Sequence, residues 1–97
     1  MITILATLKV KEGKMEEIVK LLKEIVPKVR NSEPGCLIYL SHTVQGSKNK
    51  NLIIFYEKYT DKEAFNLHSA ALPNRFKPVF PLLEGGMDIK ILDELKI

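Results

Sequence analysis

Two segments of this chain, CLIYLSHTV (residues 36–44) and NLIIFYEKY (residues 51–59), are apolar at consecutive positions over most of their length. No other feature restricts the fold as much. Both are rich in β-branched and aromatic residues and read as strands. The Gly, Ser and Asn residues of the intervening QGSKNK supply a hairpin loop. Successive side chains of a strand point to opposite faces, so each strand asks for burial on both sides. An antiparallel sheet with one wet side would instead alternate apolar and polar residues. The second face must be covered, and a chain of 97 residues has too few further elements to cover it. A partner chain is the expected cover.

Changes of hydrophobic period mark the other elements. ITILATLKV places Ile2, Ile4, Ala6 and Leu8 on one face and Thr3, Leu5 and Thr7 on the other, the pattern of a first strand. Beyond Gly13, Met15, Ile18, Leu22, Ile25 and Val29 recur at helical spacing, with Val19 and Val26 widening the stripe. This predicts a helix of roughly four turns, with Glu16–Lys20 and Glu24–Lys28 as i,i+4 pairs on its outer face. Pro27 inside the pattern predicts a kink, and SEPG (residues 32–35) a turn. Thr60, with Glu63 three residues on, reads as a capping box opening a second helix. The inner stripe of that helix carries Ala64, Phe65, His68 and Leu72. Pro73, Pro78 and Pro81 then predict short turns over residues 73–84 around Phe76, Val79 and Phe80, and MDIKIL alternates as a last strand. The order βαββαβ predicts two split βαβ units on one antiparallel sheet. This is an α+β, ferredoxin-like arrangement in a single domain, residues 1–97.

Composition and motifs then exclude several classes of function. The chain is 45% hydrophobic and 28% charged, as an ordinary folded domain is. Its 15 basic residues against 12 acidic ones are scattered singly, which does not point to nucleic acid. The RNA-binding version of this arrangement carries a basic-Gly-aromatic signature on its third strand, which NLIIFYEKY lacks. No run approaches the roughly 20 apolar residues that span a bilayer, so no membrane is expected. With a lone cysteine, Cys36, and no basic-then-apolar leader, the expected location is cytoplasmic. Two histidines and one cysteine without close spacing predict no metal site. EGGMD has neither the glycine spacing nor the lysine of a phosphate loop. Cys36 reads as a small core residue rather than a nucleophile.

Two blocks carry a more specific signal. EPGCLIYLSH contains Glu33, Pro34, Gly35, Cys36, Leu37, Tyr39 and His42, and FYEKYTDKEAFNLH contains Tyr56, Glu57, Tyr59, Asp61, Ala64 and His68. On these residues the chain resembles the antibiotic biosynthesis monooxygenase domain family, which includes quinol monooxygenases. The resemblance implies a homodimer in which two sheets pack face to face as a dimeric α+β barrel, with a pocket in each subunit between sheet and helices. It also implies oxidation of a small phenolic or quinol compound by molecular oxygen without metal, flavin or other cofactor. An electron-rich substrate, once deprotonated, can give an electron to oxygen itself, so the protein need only bind the ring, take a proton and stabilise the anion. Haem-degrading relatives carry an Asn in the first strand and a ligating His after the second helix. LATLKV and Phe76-Lys77-Pro78-Val79 supply neither.

Within that reading His68 is the expected base or anion stabiliser, on the buried stripe of its helix and with an ordinary pKa near 6.5. Glu57 is expected to hold its tautomer, and Tyr59, on the same strand face as Glu57, to flank the substrate. Each also has a structural alternative: a hydrogen-bonded core histidine, an acceptor for it, and a core tyrosine. Tyr39, His42, Phe65 and Phe76 are the expected substrate-binding residues. Tyr39 and His42 fall on opposite faces of their strand unless a bulge intervenes, and which faces the pocket is open. Tyr59 stands where the family commonly has Trp, as in relatives that process a phosphorylated quorum-sensing signal. An isomerase-like activity on a small polar metabolite is therefore one alternative, and a ligand-binding dimer without turnover another.

Overall fold

The computed structural model describes residues 1–97. Strand β1 (Ile2–Lys9) is followed by helix α1 (Met15–Ser32), the hairpin β2 (Cys36–Thr43) and β3 (Leu52–Tyr59), helix α2 (Lys62–Arg75) and strand β4 (Asp88–Leu92). Short 3₁₀ turns at Ser47–Asn49 and Phe80–Leu82 lie in the connections. The four strands form one open antiparallel sheet in the order β2-β3-β1-β4, the expected ferredoxin-like α+β arrangement.

Register decides what each face carries. Ile4 lies opposite Glu57, Ala6 opposite Phe55 and Leu8 opposite Ile53, so these side chains share one face with Tyr59. Both helices cover that face, and the α1 stripe of Ile18, Leu22, Ile25, Val26 and Val29 is buried against it, in a core of 17 apolar residues. The other face carries Leu5, Leu40, Ile54 and Tyr56 in neighbouring register, with Leu92 at its edge and no helix across it.

Several local expectations are corrected. Helix α1 continues through Pro27 to Ser32, about five turns rather than four; Pro27 is exposed, so its ring displaces nothing from the core. Neither expected i,i+4 pair closes within 4.0 Å; the pair at the start of the helix is Lys14–Glu17 at 4.0 Å, and exposed partners of this kind gain little by closing. The cap of α2 is Asp61, one residue later than Thr60. Asp61 is extended (φ −160°) and its carboxylate accepts the Ala64 N–H at 2.9 Å. Helix α2 then runs through exposed Pro73 to Arg75, so the turns around Phe76, Val79 and Phe80 begin three residues later than the prolines suggest.

Candidate functional site

The β2–β3 ladder slips by one residue between Cys36 and Ile38, leaving Leu37 unpaired and half exposed. Beyond this bulge Tyr39 sits opposite Glu57 on the helix-covered face, and His42 opposite Ile54 on the bare one. Tyr39 is buried and its ring lies 5.1 Å from Phe55 and 5.2 Å from His68. His42 is exposed, with Nδ1 3.1 Å from the Ile54 carbonyl oxygen. It borders an open groove of about 490 Å³ between α1 and β2. Of the two cations lining it, Lys23 and Arg30, Arg30 donates to the Tyr39 carbonyl oxygen at 3.1 and 2.8 Å.

Between α2 and the sheet lies a smaller, more enclosed cavity of about 90 Å³. Its sheet side is Ile4, Ala6, Leu8 and Phe55, and its helix side is Phe65, Leu72 and the residue after α2, Phe76. Met87 and Ile89 stand at the β4 side, where Ile89 is 44% exposed. The polar groups lining this mainly apolar space are Tyr39, Glu57 and His68, which stand together, and Ser69, which follows His68 on α2. Five of the seven expected site residues therefore meet in one cavity: Glu57, His68, Tyr39, Phe65 and Phe76. His42 lies on the opposite face of the sheet. Tyr59 lies beneath the cavity, fully buried and not among its lining residues.

The polar contacts differ from those expected. His68 Nδ1 is 2.8 Å from Glu33 Oε1, whereas Nε2 is 3.8 Å from Glu57 Oε1, beyond hydrogen-bond reach. The hydrogen-bond partner of His68 is thus Glu33, at the turn that ends α1. Glu57 instead accepts the Tyr59 hydroxyl at 2.6 Å. Glu33 Oε2 faces Arg75 Nε at 3.5 Å, and Arg75 Nη2 donates to Ser32 Oγ at 2.7 Å.

Burial sets the protonation of this group. It pushes the Glu57 carboxyl up to about 7; the Tyr59 hydrogen bond pulls the other way, and the negative charge of Glu33 adds to the rise. Burial lowers the pKa of His68, against the hydrogen bond and charge of Glu33, with the Arg75 charge lowering it further. Tyr39 and Tyr59 are both held as neutral phenols, chiefly by burial, with the Glu57 carboxylate adding to it. Cys36 is part-buried and its thiol is pushed up to about 11, again mainly by burial. At neutral pH the cavity end therefore presents an uncharged imidazole beside a carboxyl poised between its two forms. No set of three or more His, Cys, Asp or Glu side chains is arranged as metal ligands.

Sequence reasoning assigned no role to Glu33 or Arg75. Glu33 stood within the EPG block; Arg75 lay in the stretch read as turns, and its place on α2 is what brings it to Glu33.

Comparisons with known proteins bear on the family and the fold. The profile of the family described as "Antibiotic biosynthesis monooxygenase" matches residues 1–72. Among solved structures, a candidate antibiotic biosynthesis monooxygenase from Caulobacter crescentus is 27% identical with a TM-score of 0.83, covering 98% of this chain and 90% of that one. A Shewanella oneidensis protein is 29% identical with a TM-score of 0.77, covering 94% and 87%. A Pseudomonas aeruginosa protein is 27% identical with a TM-score of 0.78, covering 97% and 93%. No match is found among curated proteins.

Proposed function

The chain belongs to the antibiotic biosynthesis monooxygenase family, and from that premise we propose that it is a cofactor-independent monooxygenase acting on a small phenolic or quinol compound, working as a homodimer. The observation that supports this reading is the convergence of His68 and Glu57 in a mainly apolar, aromatic-walled cavity whose other polar lining residue is Ser69. An apolar pocket with a few convergent polar groups is the usual form of a site for a small ring compound. His68 takes the hydroxyl proton of the bound quinol, and the resulting anion is electron-rich enough to reduce oxygen directly. One atom of O₂ enters the ring and the other leaves as water. The quinol becomes a hydroxyquinone, so the substrate supplies every electron and no separate reductant is consumed. Phe65, Phe76 and Tyr39 hold the ring, and Tyr59 acts through Glu57.

Size narrows the choice of substrate. The cavity is smaller than the roughly 150 Å³ apolar cavity that takes up benzene, so a single ring would sit with its outer edge between Met87 and Ile89. The test is oxygen uptake with a panel of single-ring quinols, run with wild type and His68→Ala. The reading expects uptake matched by hydroxyquinone formation and a fall of at least about 100-fold in the variant. Unchanged turnover in a well-folded His68→Ala protein would remove His68 from the mechanism. Absence of uptake across the panel would favour a ligand-binding role.

A further inference from the structure

Glu33 touches the buried histidine on one side and a cation on the other, and the function proposed above gives it no task. Its Oε1 lies 2.8 Å from His68 Nδ1. Its Oε2 and Arg75 Nε are both buried and have no hydrogen-bond partner, yet they face each other at 3.5 Å. Each is therefore the nearest compensation for the other's charge. A guanidinium keeps its positive charge at any ordinary pH, and here it faces the second oxygen of the same carboxylate that meets His68. Arg75 is steadied in turn by Ser32 Oγ, so the same turn that supplies Glu33 also holds its counterion. His68 and Arg75 are seven residues apart on α2, two turns along one helix face, which aligns both with that turn.

An ionised carboxylate can only accept hydrogen bonds. Nδ1 must then carry the hydrogen, and since a neutral imidazole has a single N–H, Nε2 is left as a bare lone pair. Nε2 has no hydrogen bond within the protein and belongs to the polar end of the cavity. We propose that Glu33, clamped by Arg75, is a positioning residue that holds the His68 proton on Nδ1 and makes Nε2 an acceptor at the polar end of the cavity, so that the site selects ligands presenting a hydroxyl. This deepens the functional reading above by depending on His68 as acceptor, but it requires no turnover.

The test is long-range ¹H–¹⁵N correlation of the two imidazoles in the ligand-free protein, at a pH where His68 is neutral, with exposed His42 as internal reference. Wild type is expected to show His68 as the Nδ1–H tautomer, and Glu33→Ala to show that preference lost. A wild-type Nε2–H tautomer overturns the proposal whether or not the variant folds, and so does a Glu33→Ala protein with an unchanged tautomer. Phenol and toluene then probe selection, since they differ mainly in the hydroxyl. Phenol is expected to move the His68 Nε2 resonance and toluene to leave it in place; no response to phenol, or an equal response to both, overturns the selectivity. Because the tautomer is read without oxygen or quinol, a protein that turns nothing over can still pass this test. One that oxidises quinols can still fail it.

Discussion

Glu57 and Tyr59 form a buried pair whose hydrogen bond moderates the effect of burial on the carboxyl. The Tyr59 hydroxyl lowers the Glu57 pKa against the larger effect of burial. Tyr59→Phe is therefore expected to raise the carboxyl pKa beyond about 7, read by carbon NMR of the Glu57 side chain. It should also destabilise the fold by about 1–3 kcal/mol through the acceptor left unpaired. The Glu57 shift has a definite sign in stability. Its native pKa of about 7 lies above the ordinary value of 4.5, so the native state holds the proton more tightly than the unfolded one. That contribution is complete below about pH 4.5 and is lost as pH rises through about 7. Relative to Glu57→Gln, the wild type should lose at most on the order of 3 kcal/mol across that window, followed by urea unfolding at stepped pH. A constant difference between the two proteins would show that Glu57 titrates normally. His68 has the opposite sign, since its lowered pKa costs stability as pH falls below 6.5.

At the level of elements, the site depends on how closely the turn after α1 meets the start of α2. A Cβ on Gly35 would stand 2.5 Å from Ala64 Cβ and 3.1 Å from Thr60 Oγ1, and the Gly35 carbonyl accepts the Thr60 N–H at 2.9 Å. Only glycine permits this approach, which brings Glu33 within reach of His68. Gly35→Ala should cost about 1–3 kcal/mol of overpacking, and in a double-mutant cycle Ala64→Gly should recover part of it. Additive losses would show that the contact is not the cause. Asp61→Ala should cost about 1 kcal/mol by removing the α2 cap, whereas Thr60→Ala should not act through capping. The bulge at Leu37 is the other decisive local event. Without it Tyr39 would turn to the bare face of the sheet and His42 toward the cavity side.

In the whole molecule, the bare sheet face is the surface on which the proposed pairing of two copies can be tested. Leu5, Leu40, Ile54 and Tyr56 adjoin one another across three strands, and Leu40 is 44% exposed. A charge at the centre of a packed apolar interface is costly to desolvate. If two copies join through this face, Leu40→Lys should sediment as a monomer while keeping the helical circular dichroism of wild type. Wild type sedimenting as a monomer at micromolar concentration would refute the pairing. No helix of the chain is long and apolar enough to cross a membrane.

What could be read from the sequence alone was whatever depends on neighbours a few residues apart. The order βαββαβ, the inward stripe of α1, the buried face of β1 and the placing of Glu57 with Tyr59 all follow from periods of two or 3.6 residues. So does His68 on the inner side of α2. What only the tertiary structure decided was each contact between distant positions. Glu33 meets His68 across 35 residues of chain, and Arg75 meets Ser32 across 43. The Leu37 bulge, the Gly35–Ala64 approach and the cavity itself likewise arise from packing one element on another. Periodicity states which way a side chain points, but not what it meets there.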